Sequence, residues 1–202
     1  RPPRPEAQAG DLIKEKDLEQ VHLCLGLEGV SARADERYPC ALLNVLLGGS
    51  MSSRLFQEVR EKRGLAYAVY SYLASYSDAG MMGIYLGVDP RRTKEALEVV
   101  LEVMGHIGRG VDADELGKAK EHLKGSIFLS AESTDSRMIR MAKNEFNFGR
   151  YIPYEEVAAR IEAVTPEMVS AVALKTLDPK SMALVALGPG VEKALGSKWY
   201  RR

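Results

Sequence analysis

The stretch from Leu65 to Val88 sets the narrowest limits on how this chain can fold. Between Leu65 and Tyr76 large side chains alternate, with Tyr70, Tyr72 and Tyr76 on one side and Leu65, Tyr67, Val69 and Leu73 on the other. A period of two, rich in aromatic and β-branched residues, marks a strand. Ser77-Asp78-Ala79-Gly80 supplies a turn, and Met81 to Val88 forms the returning strand of a hairpin. A hairpin with an apolar face needs further strands and a helical cover. The flanking sequence offers both.

Glu19 to Leu27 alternates again, through Val21, Leu23, Leu25 and Leu27, and predicts another strand. A helix is expected from Asp35 to Leu47, with Ala41, Leu42, Val45 and Leu46 on its apolar side. Gly48-Gly49-Ser50 interrupts it, and a second helix runs from Ser52 to Lys62 with Leu55, Phe56 and Val59 turned inward. Gly64 is placed as its left-handed stop. After the hairpin, Pro90 opens a helical half, beginning with the apolar series Leu97, Val100, Leu101, Met104 and Ile107, which ends near Gly108 to Gly110. Asp112 with Glu115 resembles a capping box for the next helix, and Ser133 or Thr134 caps another that carries Met138, Met141, Ala142 and Phe146. Short helices follow at Tyr154 to Ala163 and Pro166 to Leu177, the latter with Thr165 as cap, before a last strand at Ser181 to Leu187. The expected fold class is α+β, an antiparallel sheet covered on one face by helices. Residues 1–10 are expected to be a tether rich in Pro and Ala, and 11–202 a single domain.

Charge narrows the function. Lys and Arg number 28 and Asp and Glu 28, a balance that argues against nucleic acid as a partner. The longest apolar runs, Ala41 to Leu47 and Met182 to Leu187, are too short to span a membrane. The Arg-Pro-Pro-Arg-Pro start has no apolar signal-peptide core, so a cytoplasmic location is expected, and the missing initiator Met suggests a piece of a longer chain. Cys24 and Cys40 form no C-x-x-C pair and are expected to be buried free thiols. His22, His106 and His122 form neither H-E-x-x-H nor H-x-x-E-H, so this chain is expected to bind no zinc by itself. His106 and His122 are better understood as solvated or capping residues on helices. No G-x-S-x-G elbow is present. Gly48-Gly49-Ser50 resembles a minimal anion cradle, but without G-x-G-x-x-G or a Walker lysine a tight turn between helices is the better reading.

The segment from Gly48 to Tyr67, GGSMSSRLFQEVREKRGLAY, differs in kind. Arg54, Arg60, Lys62 and Arg63 stand against Glu58 and Glu61, a locally basic helix in a neutral protein. On charge pattern alone it is a solvated face. Arg60, however, lies in the last helical turn, and Tyr67 follows early in the strand. A helix–Gly–strand reversal can bring the two to one rim, where a guanidinium fork and a phenol suit a peptide carbonyl or a developing oxyanion.

This segment, with the following YSYLASYSDAGMMGIYLGVDP, resembles the C-terminal half of pitrilysin/insulinase-family zinc metallopeptidases, in the bacterial processing-peptidase-like branch. The likeness continues through GVDADELGKAKEHLKGSIFLSAESTDSRM and the earlier QVHLCLG. It implies paired α+β halves enclosing a chamber for unfolded peptides. The zinc of the parent enzyme would then sit with an inverted H-x-x-E-H motif and a distal Glu in an N-terminal half or a partner subunit, absent from this chain. By position in R-E-K-R-G-L-A-Y, the Arg and Tyr that such halves contribute map onto Arg60 and Tyr67. Both would bind substrate, with Tyr67 catalytic through a transition-state hydrogen bond. The mitochondrial substrate-recognition subunit carries a longer glycine-rich loop where this chain has Gly48-Gly49-Ser50-Met51, which favours the bacterial branch. A non-catalytic scaffold of the same fold is the alternative. A lone half would also expose apolar surface, which a homo-oligomer is one way to cover.

Overall fold

In a computed structural model, which describes residues 8–201, the hairpin forms as its alternation predicts. β3 (Ala66–Ser75) and β4 (Gly80–Val88) pair antiparallel, with Tyr70 opposite Tyr85 and Ser75 opposite Gly80. β2 (Val21–Gly29) lies antiparallel to β4, and β5 (Ala183–Gly188) antiparallel to β2. A fifth strand, β1 (Gly10–Glu15), joins β5 in parallel, giving the order β1-β5-β2-β4-β3. β1 extends the antiparallel sheet by one strand that GDLIKE does not announce, because its two apolar residues, Leu12 and Ile13, are adjacent rather than alternating, even though Asp11 and Ile13 are the less exposed side of the strand. The tether reading concerns residues that, through position 7, lie outside the described part of the chain.

One sheet face is buried. Val21, Leu23, Leu25 and Leu27 of β2 meet Met82, Ile84, Leu86 and Val88 of β4 and Leu184 and Ala186 of β5, all withdrawn from solvent. Three helices cover that face: α1 (Arg37–Leu47), α2 (Thr93–Arg109) and α6 (Pro166–Thr176). α3 (Ala113–Ser130), α4 (Thr134–Phe148) and α5 (Tyr154–Glu162) lie between α2 and α6 in sequence, and α7 (Val191–Leu195) follows β5. Caps anticipated from sequence form. The Asp112 carboxylate accepts from the Asp114 and Glu115 amides, Ser133 Oγ from Ser136, and Thr165 Oγ1 from Met168. Glu115 itself does not complete a capping box; its carboxylate is taken by Arg54.

One expected burial is revised, and one apolar helix side is left open. Met138, Met141 and Phe146 of α4 are exposed, because no element among the described residues covers that side of the helix. Cys40 is buried as expected, whereas Cys24, on the sheet face turned from the helices, is only half-buried.

Candidate functional site at the start of the edge strand

The site is built by three departures from regular geometry in succession. The first is the end of α1. The Gly48 and Gly49 amides both donate to the Asn44 carbonyl, at 3.1 and 2.8 Å, and the Gly48 carbonyl accepts from the Ser71 amide of β3 at 3.1 Å. A Cβ at Gly48 would lie 2.5 Å from that Ser71 nitrogen, so glycine is required for the approach. Ser71 Oγ adds a 2.8 Å bond to Asn44 Oδ1. These amides are spent on the turn, as the interhelical reading of the loop expects, and do not form an anion cradle.

The second departure is a π-helical turn, Phe56–Glu61, in which the Lys62 amide reaches back to the Gln57 carbonyl at 2.9 Å. Such widened turns recur at functional sites. Leu55 and Val59 are fully buried and anchor this turn, while Phe56 is only half-buried rather than turned wholly inward. Gly64 then takes the left-handed φ of +57° that its position predicts and reverses the chain into β3.

The third departure is a β-bulge. Ala66 stands opposite Val88 and Ala68 opposite the next residue, Gly87, so Tyr67 is an extra residue in β3. Strict alternation would have put Tyr67 beside Leu65 and Val69 on the core side. The bulge breaks that parity and leaves Tyr67 77% exposed, together with Ala68 against Gly87.

Arg60 and Tyr67 are thereby brought to one rim. The Arg60 guanidinium carbon lies 4.9 Å from the centre of the Phe56 ring and 5.9 Å from that of Tyr67. The other basic residues of the segment are paired. Arg54 makes a two-pronged bond to Glu115, at 2.9 and 2.6 Å, which raises the Arg54 pKa. Lys62 and Arg63 both hold the Glu58 carboxylate, and their hydrogen bonds lower its pKa. For Arg60 the carboxylate recorded nearest is Glu61 Oε1, at 4.0 Å from Nε. The basic helix face thus resolves into close ion pairs plus one guanidinium that lies against aromatic rings, is partly exposed and has only a loose contact with Glu61.

Histidines play no part in this rim. His106 and His122 are exposed on α2 and α3, and His22 Nδ1 is 2.7 Å from the Tyr85 hydroxyl on β4. Among the described residues no three His, Cys, Asp or Glu side chains gather to hold a metal ion, so these residues do not fit a zinc centre.

The model of the peptidase M16 inactive domain matches residues 1–123. This chain belongs to that family. The M16 domain is 42% identical to an uncharacterized zinc protease, YmxG, of Bacillus subtilis over 92% of its own length and 46% of the relative's. It is 41% identical to an uncharacterized zinc protease of Streptomyces coelicolor, over 91% of the chain and 40% of that protein. The crystal structure of a peptidase M16 inactive domain from Pseudomonas fluorescens superposes with a TM-score of 0.78 at 28% identity, over 94% of this chain and 45% of that one. The M16 domain therefore spans less than half the length of the relatives it matches. The α+β class and the pitrilysin/insulinase likeness expected from sequence both hold. Sequence reasoning missed Phe56 as the support of Arg60; its signal was an aromatic residue four positions before an arginine on one helix.

Proposed function

We propose that this M16 domain is the C-terminal, substrate-binding half of a bacterial, cytoplasmic zinc metalloendopeptidase acting on unfolded peptides. Arg60 binds the substrate backbone, and Tyr67 donates a hydrogen bond to the scissile carbonyl as negative charge develops on its oxygen. The observation that carries this reading is the pairing of an arginine, whose only carboxylate contact among the described residues is Glu61 at 4.0 Å, with an exposed tyrosine at 5.9 Å, in a family whose relatives are named zinc proteases. The zinc belongs to residues outside this chain, on an N-terminal half or a partner subunit.

The chain's own contribution is positioning and charge stabilisation. A guanidinium held on an aromatic ring keeps its N–H fork in one orientation, so little freedom is lost when a peptide carbonyl binds. A phenol on a bulge is set outward before substrate arrives, which is what a preorganised oxyanion donor requires. Steady-state kinetics of the full-length protein carrying Arg60→Ala or Tyr67→Phe test the assignment. Loss of one such donor lowers kcat/KM by on the order of a hundredfold. Unchanged kcat/KM in both variants rejects it.

A further inference from the structure

The helical side of the domain holds a cavity that takes no part in the Arg60–Tyr67 rim. α4 carries Arg137, Arg140 and Met141 at spacings of three and four, so all three share one helix face. Gly149, at a left-handed φ of +65°, stops the helix, and the chain turns back through residues 150–153 into α5. That return lays Tyr151 and Tyr154 against the same face. The five side chains line a cavity of about 320 Å³. A space of this size admits one residue-sized group rather than a folded partner.

Arg140 is fixed in the wall of this cavity and lacks a counter-charge. Its guanidinium carbon lies 4.1 Å from the centre of the Tyr154 ring, and its Nη2 donates to the Ile152 carbonyl at 2.7 Å. Its Nε is shut off from water and has no acceptor. The first turn of α5 carries Glu155 and Glu156, but Glu156 is taken by Arg150 through bonds of 2.9 and 2.6 Å. Among the described residues neither Arg137 nor Arg140 has an ion pair, and no carboxylate lines the cavity. A guanidinium partly withdrawn from water costs free energy until a negative group faces it. Nη1 of Arg140, which bonds to nothing among the described residues, is the edge left for that group.

The remaining walls decide between anions. Met141 and Tyr151 are 53% and 50% exposed and set a thioether and a ring beside the two guanidinium groups. Inorganic phosphate makes no use of that apolar area. A carboxylate on an aromatic or aliphatic stem does, because its charge meets the arginines while its stem lies on Met141 and the tyrosine rings. We infer that the α4–α5 cavity binds a carboxylate carried on an apolar stem, the chemistry of a peptide's C-terminal residue with an aromatic or aliphatic side chain. Arg140 and Arg137 hold the charge, and Tyr151, Tyr154 and Met141 hold the stem. Nothing in this assignment rests on the roles proposed for Arg60 and Tyr67.

The test uses the full-length protein and N-trifluoroacetyl-phenylalanine, with its carboxamide as the neutral twin, both followed by ligand-observed fluorine NMR. The acid is expected to bind about tenfold tighter than the amide, as one charge-assisted contact allows, and less tightly as salt is raised. Arg140→Met keeps an apolar side chain on the wall and removes the charge, and is expected to bring acid and amide to equal affinity. Arg137→Gln, at an exposed position, is expected to weaken binding of the acid about threefold. Arg60→Ala is expected to leave the preference for the acid unchanged, which separates the cavity from the rim. Equal binding of acid and amide, a preference that survives Arg140→Met, an acid affinity unmoved by Arg137→Gln, or a preference lost in Arg60→Ala overturns the inference. So does displacement of the acid by inorganic phosphate as readily as by the unlabelled N-acetyl acid, which would make the cavity a general anion hole.

Discussion

The Arg60 guanidinium rests 4.9 Å from the ring centre of Phe56, four positions earlier in the same π-helical turn. A cation over an aromatic face at an exposed site contributes about 0.5–1 kcal/mol. Phe56→Leu keeps apolar bulk against the turn but removes the face. Arg60 then samples more orientations, and kcat/KM of the full-length enzyme is expected to fall about twofold to fivefold. Phe56→Tyr restores the ring and should restore activity. If the Leu and Tyr variants lose activity equally while melting alike, the stack does not position Arg60.

Backbone proximity gives a second prediction, of opposite sign at two glycines. A methyl group at Gly48 would sit 2.5 Å from the Ser71 nitrogen, so Gly48→Ala must push the loop away from β3 and loosen the Ser71–Asn44 bond. Overpacking of this kind costs about 1–3 kcal/mol. Gly105 lies in α2 with nothing within 4 Å of its would-be Cβ, and Gly105→Ala should stabilise by up to about 1 kcal/mol through helix propensity. Urea unfolding of both variants checks the pair; a neutral Gly48→Ala would show that the loop is not held to the strand as described.

The Arg54–Glu115 bridge joins the segment carrying Arg60 to the first turn of α3, with both side chains partly shielded from solvent. Its fork geometry, with bonds of 2.9 and 2.6 Å, makes it stronger than a typical surface pair. Glu115→Gln should cost about 1 kcal/mol, and the loss should shrink as salt is raised. Denaturant midpoints at low and high salt measure it. A cost independent of salt would assign the effect to packing rather than charge.

What could be foreseen in this chain depended on whether local chemistry or long-range pairing decided the outcome. Gly64, Thr165 and Ser133 act within a few residues of themselves, and each does what its residue type prefers. The side chosen by Tyr67 was not legible, because an inserted residue flips parity and only the register with Gly87 and Val88 reveals it. The π-helical turn was hidden for a related reason: FQEVRE carries an ordinary helical pattern, and the widening shows only in the Lys62-to-Gln57 bond. In α4 the apolar spacing was read correctly as a helix, yet periodicity cannot say whether the cover for Met138 and Phe146 lies in the same chain. Arg60 and Tyr67 are legible as a pair in sequence, whereas the pairing of Arg54 with Glu115 and of Lys62 and Arg63 with Glu58 shows only in the fold.

A last prediction concerns alkaline stability. Cys40 is buried under the sheet, and desolvation, opposed by a hydrogen bond with the Val30 backbone, pushes its thiol pKa from 9.0 up to about 11. The folded protein thus retains this proton where the unfolded chain has lost it. Below pH 9 both states are protonated and the full contribution of the neutral thiol is present; between pH 9 and about 11 unfolding is favoured progressively as the unfolded thiol ionises. Relative to Cys40→Ala, the wild type should therefore lose about 2–3 kcal/mol across that window and no more above it. Paired urea titrations of the two proteins at stepwise pH, under reducing conditions, isolate the thiol from tyrosines that ionise in the same range. Parallel stability curves from pH 8 to 11 would show that Cys40 meets water in the folded state. A matching chemical readout is available: at pH 8 native Cys40 should resist alkylation, and urea should expose it in step with unfolding.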